Sequence, residues 1–266
     1  MPRIALGLSY RGSAYQGWQS QPSGQTVQDH LESALARFAD EPVRTLCACR
    51  TDAGVHAINQ VVHLDSSRER TDFSWLRGTN RFLPHDIAVQ WCRPVDGHFH
   101  ARNAARARRY VYVLRVSSAR PALETGLVGW TFRPLDVRCM REAAALLIGE
   151  HDFSAFRAAE CQAASPVKRM IEIDIRELGN SYWRFEFEAV AFLHHMVRNL
   201  MGSLLTVGSG SRAPGWMGEV LRSLDRSQAA PTFAPDGLYF LGPRYDAEHG
   251  LPSHSPAADW LPGRTP

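Results

Sequence analysis

The chain has 266 residues, 44% hydrophobic and 21% charged, with a formal net charge of +3, a globular composition long enough for one large domain or two ordinary ones. No apolar run reaches membrane-spanning length and no basic-then-apolar leader opens the chain, so the expected compartment is the cytoplasm, with no membrane partner. Five scattered cysteines (Cys47, Cys49, Cys92, Cys139, Cys161) without a C-x-x-C pair give neither a disulfide framework nor a zinc knuckle and read as reduced thiols.

In chain order, Arg3–Tyr10 reads as a first strand. The loop from Arg11 to Gln25 is rich in Gly, Ser and Gln and carries Tyr15 and Trp18, aromatics that either stack on bases or seal the core. From Thr26 the apolar residues Val27, Leu31, Leu35 and Phe38 recur at helical spacing, with Thr26 as N-cap and Asp29 as its capping-box partner. Val43–Ala48 reads as a buried strand feeding Cys49-Arg50-Thr51-Asp52-Ala53-Gly54-Val55-His56-Ala57, a segment too short for a helix of its own. If Arg50 to Asp52 is still extended, both side chains share one face, close enough for the guanidinium to hold the carboxylate ionised, and Gly54 supplies the bend. Taken alone, an Asp two residues before a Gly is also ordinary turn chemistry. Gln60–Asp65 is the next strand, Phe73–Phe82 a helix ending before Leu83-Pro84, and Ile87–Cys92 is again extended.

Of the 30 basic residues 29 are arginine, and the densest run, Arg102 to Arg115, holds five arginines and no acid. Arginine suits bidentate phosphate contacts and stacking on bases, so Arg106, Arg108 and Arg109 are candidate RNA contacts; a solvated, charge-guarded strand edge is the other reading. If the run becomes a strand, Val111 and Val113 face the core while Arg106, Arg108, Tyr110 and Tyr112 share a wet, cationic and aromatic face. A helix with Val137, Met140, Ala144 and Leu147 as its stripe follows Pro134 and ends at Gly149, and His151–Arg157 is a loop. Ile171, Ile173 and Ile175, then Trp183, Phe185 and Phe187, alternate on either side of Gly179-Asn180, giving a hairpin with one dry and one wet face. Phe192–Val207 reads as a largely apolar helix interrupted by His194, His195, Arg198 and Asn199, Trp216–Leu224 as a shorter one, and Leu238–Leu241 as a last strand.

This order predicts an α+β fold of two related, mainly antiparallel halves, with helices on their outer faces and a central cleft between wet sheet faces. The halves are residues 1–104, with the Asp52 loop, and 105–245; residues 246–266, rich in Pro, His and Ser, read as a mobile tail. For chemistry, His98-x-His100 and Cys47-x-Cys49 each place two possible ligands on one strand face, but neither has a second pair at ligand spacing. His194 and His195, adjacent on a predicted helix, face different ways. Nucleophile-elbow, P-loop and dinucleotide fingerprints are absent. What is left is a reaction without metal or cofactor, built on one carboxylate acting as nucleophile or base, or a silent RNA-binding protein.

Several segments, in order, resemble the TruA family of bacterial tRNA pseudouridine synthases: Leu8-Ser-Tyr10-x-Gly12-x-x-Tyr15-x-Gly17-Trp18-Gln19, Thr26-Val27-Gln28, Arg50-Thr-Asp-Ala-Gly-Val-His-Ala57, Asp96 to Arg102, Ala107-Arg-Arg-Tyr110-x-Tyr112, His151-Asp-Phe153, Phe192-x-His-His-Met-Val-Arg-Asn199 and Gly237-Leu-Tyr239. The resemblance implies the pseudouridine synthase fold, no metal and no cofactor, and a homodimer that isomerises uridines 38, 39 and 40 in the anticodon stem-loop of tRNA. It implies Asp52 as the nucleophile and Tyr110 as the tyrosine against the target base, involved in proton removal from C5. Arg50 is implied as the arginine of base flipping that pairs with Asp52, Leu238 as an apolar pocket residue, and Arg198 as a basic residue near the cleft. Two positions depart from the family's pattern: Cys49, where glycine is usual, and Val111, where a basic residue is common.

Overall fold

The computed structural model describes residues 1–252. By contact the described residues divide into two units, the first made of residues 1–108 and 239–252, the second of Arg109–Leu238. The expected halves kept the stretch from 239 to 245 with the residues after 104; by contact it groups with the first unit.

The first unit contains β1 (Arg3–Tyr10), α1 (Val27–Ala39), β2 (Leu46–Cys47), β3 (His56–Asp65), α2 (Asp72–Asn80) and β4 (Ile87–Val95), and takes in most of β10 (Leu238–Arg244). The sheet order is β4-β1-β3-β10, with β2 paired to β3. β1 runs antiparallel to both β3 and β4, whereas β10 runs parallel to β3 through Tyr239 opposite His56 and Phe240 opposite Ala57. The strand expected over 43–48 shrinks to Leu46–Cys47, and β3 starts four residues earlier than expected. α1 has the expected cap: the Thr26 hydroxyl accepts the Asp29 N–H at 3.3 Å and donates to its carboxylate.

β3 explains how this unit holds its loops. Every residue from His56 to Leu64 is buried, so it lacks the wet face expected of the sheets. Four of its polar residues therefore find partners inside the protein. His56 Nδ1 accepts the Gly12 N–H at 3.0 Å, Asn59 Oδ1 accepts the Trp91 indole N–H at 3.0 Å, Gln60 Nε2 donates to the Cys49 carbonyl at 2.5 Å, and His63 Nδ1 accepts the Ala101 N–H at 3.2 Å. Each ties a different segment to one strand. Tyr15 and Trp18 seal the core, Trp18 lying 5.9 Å from the Tyr10 ring. Residues 246–249, expected in the tail, are held: Arg106 bonds Asp246 at 2.8 Å, and His249 lies edge-on to Phe99 at 5.2 Å. Residues 253–266 of that tail lie outside the described residues.

The second unit has sheet order β5 (Ala107–Val116), β9 (Tyr182–Ala189), β8 (Val167–Gly179), β7 (Gly149–Asp152), with β6 (Gly129–Thr131) parallel to β5. The helices are α3 (Val137–Ala145), α4 (Met196–Gly208) and α5 (Trp216–Ser223). β8 and β9 form the expected hairpin, its turn made by Asn180 and Ser181, both with positive φ (50° and 68°) as a two-residue reversal between twisted strands requires. Of the three isoleucines on β8 only Ile175 is buried and Ile171 is exposed, while Trp183, Phe185 and Phe187 all lie in the core. The fold is thus α+β with mainly antiparallel sheets.

Candidate active site

The loop carrying Asp52 is fixed at nearly every residue. The Ala48 N–H bonds the Val61 carbonyl at 2.8 Å as the strand ends, and Gln60 holds the Cys49 carbonyl. Thr51 is buried: its hydroxyl lies 2.8 Å from the Tyr10 hydroxyl and its carbonyl accepts the Trp18 N–H at 3.0 Å. The Asp52 carbonyl accepts the Val55 N–H at 3.1 Å, closing a four-residue turn whose third residue, Gly54, has φ of 81°, the conformation such a turn reserves for glycine.

Two further glycines let the chain from β1 press against this loop. A Cβ on Gly12 would lie 2.0 Å from the Val55 carbonyl oxygen, and one on Gly17, whose φ is 84°, 2.7 Å from that of Thr51. No side chain fits at either place, so the Gly-rich segment and the Asp52 loop are backbone against backbone. Asp52 emerges half-buried, and Arg50 is exposed. Regular strand stops at Cys47, so the extended backbone expected to put Arg50 and Asp52 on one face is not formed as a strand here. Cys49 is not among the residues with positive φ, which is why a side chain is tolerated at the family's glycine position. Burial pushes the neighbouring Cys47 thiol up to about 12 and the Tyr10 hydroxyl far above its ordinary value, so both keep their protons.

The arginine run does not form the wet cationic face expected of it. Arg108 is 8% exposed and donates to the Ala105 carbonyl at 3.0 Å, to that of Ala48 at 3.4 Å and to that of Arg102 at 2.5 Å. Tyr110 and Tyr112 are buried, and the Tyr112 hydroxyl donates to the Ala234 carbonyl at 3.1 Å. Arg106 is exposed and engaged by Asp246. The physical reason is that β5 is covered on both faces from Tyr110 to Leu114, so strand alternation there does not sort wet from dry.

In the second unit Tyr110 packs edge-on to Phe192, with ring centroids 5.1 Å apart at 85°. Arg109 is half-buried, its Nε without a hydrogen-bond partner among the described residues. Arg198, on α4, donates from Nε to the Phe233 carbonyl at 2.9 Å, and Leu238 is 3% exposed. His194 and His195 precede α4 instead of lying on it. His195 is the N-cap with φ of 61°, and that left-handed residue brings the two rings within 4.1 Å, contrary to the divergence expected on a helix.

A family model described as tRNA pseudouridine synthase matches residues 8–102 and 143–246, both sides of the arginine run. The chain belongs to the tRNA pseudouridine synthase family. The "tRNA pseudouridine synthase A" of Methylibium petroleiphilum is 73% identical over 260 residues, covering 98% of this chain and 100% of the relative. That of Polaromonas naphthalenivorans is 62% identical over 263 residues, again 98% and 100%. A chain of a solved Cbf5-Nop10-Gar1 complex resembles 76% of this chain and 45% of its own length at 11% identity and a TM-score of 0.35, too distant to bear on any residue here. The synthase is accordingly an isomerase acting on tRNA, and among its described residues no helix is long and apolar enough to cross a membrane. Sequence reading singled out Asp52 and Gly54 of the loop, quoted Tyr10, Gly12, Gly17, Thr51 and His56 in the family's segments without giving them a role as its supports, and did not single out Gln60. The signal for the two glycines was present in their place straight after β1, beside aromatics that had to turn inward.

Proposed function

We propose that this synthase converts uridines 38, 39 and 40 of the tRNA anticodon stem-loop to pseudouridine with Asp52 as the nucleophile, in the cytoplasm and as a homodimer. The observation that carries this reading is the Asp52 loop, which presents one half-buried carboxylate on a backbone immobilised from both sides. A nucleophile held this way reaches the reacting atom without first ordering its own segment.

The reaction breaks the N1–C1′ bond of uridine and forms C5–C1′; a proton leaves C5 and one is taken up at N1. Nothing is gained or lost overall, so no cofactor is called for. Asp52 attacks the target nucleotide and the detached base turns. Tyr110, stiffened by Phe192, packs against the base and serves proton removal at C5. Arg50, exposed beside the nucleophile, takes the place vacated by the flipped nucleotide, whose unstacking costs on the order of a few kcal/mol. Leu238 lines the pocket, and Arg198 and Arg109 meet phosphates.

The deciding experiment is nucleoside analysis with site mapping of unmodified tRNA treated with Asp52→Ala and Asp52→Asn. Both variants bind tRNA like the parent and form no pseudouridine. Turnover by either one rejects Asp52 as nucleophile, and an inactive parent protein that still binds tRNA favours a silent RNA-binding role.

A further inference from the structure

Two side chains in the first unit are placed oddly for core residues. Tyr10, at the end of β1, is 4% exposed, and Gln60, on β3, is wholly buried. A core needs neither hydroxyl nor amide at these positions, and burying them brings a penalty that Phe and Leu would not incur. Gln60 Oε1 has no hydrogen-bond partner among the described residues, so this penalty is incompletely offset. Both polar groups are aimed at the same short segment. The Tyr10 hydroxyl meets Thr51 Oγ1 at 2.8 Å, and the Gln60 amide nitrogen donates to the Cys49 carbonyl at 2.5 Å while also lying against the Tyr10 hydroxyl. Cys49 and Thr51 flank Arg50, and Thr51 directly precedes Asp52.

We propose that Tyr10, Gln60 and Thr51 form a buried polar clamp that positions the Asp52 carboxylate, acting on the rate of the chemical step and not on tRNA binding. The inference rests on Asp52 being the nucleophile. Thr51 is the pivot: its carbonyl is fixed by the Trp18 N–H and its side chain by Tyr10, so both ends of the residue before Asp52 are immobile. Losing the hydroxyl contact frees rotation about that residue, and a small misplacement of a reacting group is enough to slow catalysis. Since Tyr10 stays protonated, the clamp keeps its form across the working pH range.

The test separates stability from catalysis. Tyr10→Phe and Thr51→Val each leave one hydroxyl buried without its partner, so each lowers Tm; the double variant removes both and recovers Tm. Single-turnover rates on unmodified tRNA fall about tenfold or more in both single variants and stay down in the double, with tRNA Kd unchanged, whereas Thr51→Ser keeps the hydroxyl and stays within about threefold of the parent. Recovery of rate together with Tm in the double variant, or a single-variant rate equal to the parent's, overturns the clamp. Asp52→Asn is run alongside: if it turns over, the nucleophile assignment fails, while an inactive Asp52→Asn with full-rate clamp variants rejects the clamp alone.

Discussion

The Asp52 loop and the arginine run from Arg102 to Arg115 were both marked as functional by their side chains, and the structure treats them in opposite ways. In the loop the flanking residues turn inward to hold the backbone and leave the carboxylate half-buried. In the run the charge is largely engaged by the protein itself: Arg108 turns inward onto three carbonyls, and Arg106 and Arg115, nearer the surface, are paired with Asp246 and Glu124. Charge density along a sequence therefore did not say which arginines stay in solvent, whereas one carboxylate with a glycine two residues on did mark a built loop. The difference lies in what surrounds each backbone. A loop pressed between glycines supplies its own amide contacts, while the turn from Arg102 to Ala105 presents carbonyls that only a buried guanidinium reaches.

The largest effect that sharpens this contrast is expected at the glycines. Gly12→Ala and Gly17→Ala drive a methyl into carbonyl oxygens that have no room to retreat, and at Gly17 add a left-handed strain. Each should lower stability by about 3 kcal/mol in thermal unfolding and abolish pseudouridine formation; parent-like Tm would show that the loop yields.

Next comes Arg108→Ala, which strands three carbonyls and should destabilise by about 2 kcal/mol or more in denaturant unfolding. Arg106→Ala should leave the unfolding midpoint where it is, and Arg106→Ala with Arg109→Ala should flatten the salt dependence of tRNA binding. An Arg108 variant of parent stability but weakened, salt-insensitive tRNA binding would restore the run as an RNA surface and break the comparison.

The smallest effect is with pH. Burial, reinforced by Arg3 and His100, pushes His63 from 6.5 down to about 4. The unfolded chain then takes up the proton first, so this stabilising contribution is whole above pH 6.5 and is lost as pH falls towards 4. Because His63 accepts the Ala101 N–H, acid should loosen the approach to the arginine run before the Asp52 loop, as hydrogen exchange at Ala101 and Val55 would read. A His63→Gln variant should show a shallower loss of Tm over that window.

Local chemistry was legible where one residue type has one use. Thr26 with Asp29, Gly54, and the alternating Trp183, Phe185 and Phe187 each announce their element, because a cap, a left-handed turn and a strand's apolar face constrain composition directly, although Arg184 and Glu188 between those aromatics are buried too instead of facing water. What escaped was whatever depends on a distant segment. Arg108 looks solvated until the carbonyls of Ala48 and Arg102 are brought to it, and β3 reads as an ordinary strand from Gln60 because nothing local says that both its faces are covered. His195 misled for a different reason: a positive φ at a residue other than Gly or Asn has no strong signature, so the helix was started four residues early.

The parallel pairing of β10 with the start of β3 bears on how the enzyme comes into being. Tyr239 stacks on His56, 4.5 Å between ring centroids, at the point where the Asp52 loop enters its strand, yet more than half of the chain separates the two. Contacts of such long sequence separation form slowly, after local structure is in place. During synthesis the loop is made early and waits for this neighbour until residues 239 and 240 follow. A nascent chain thus carries the Asp52 loop beside an open strand edge until Tyr239 and Phe240 have been made.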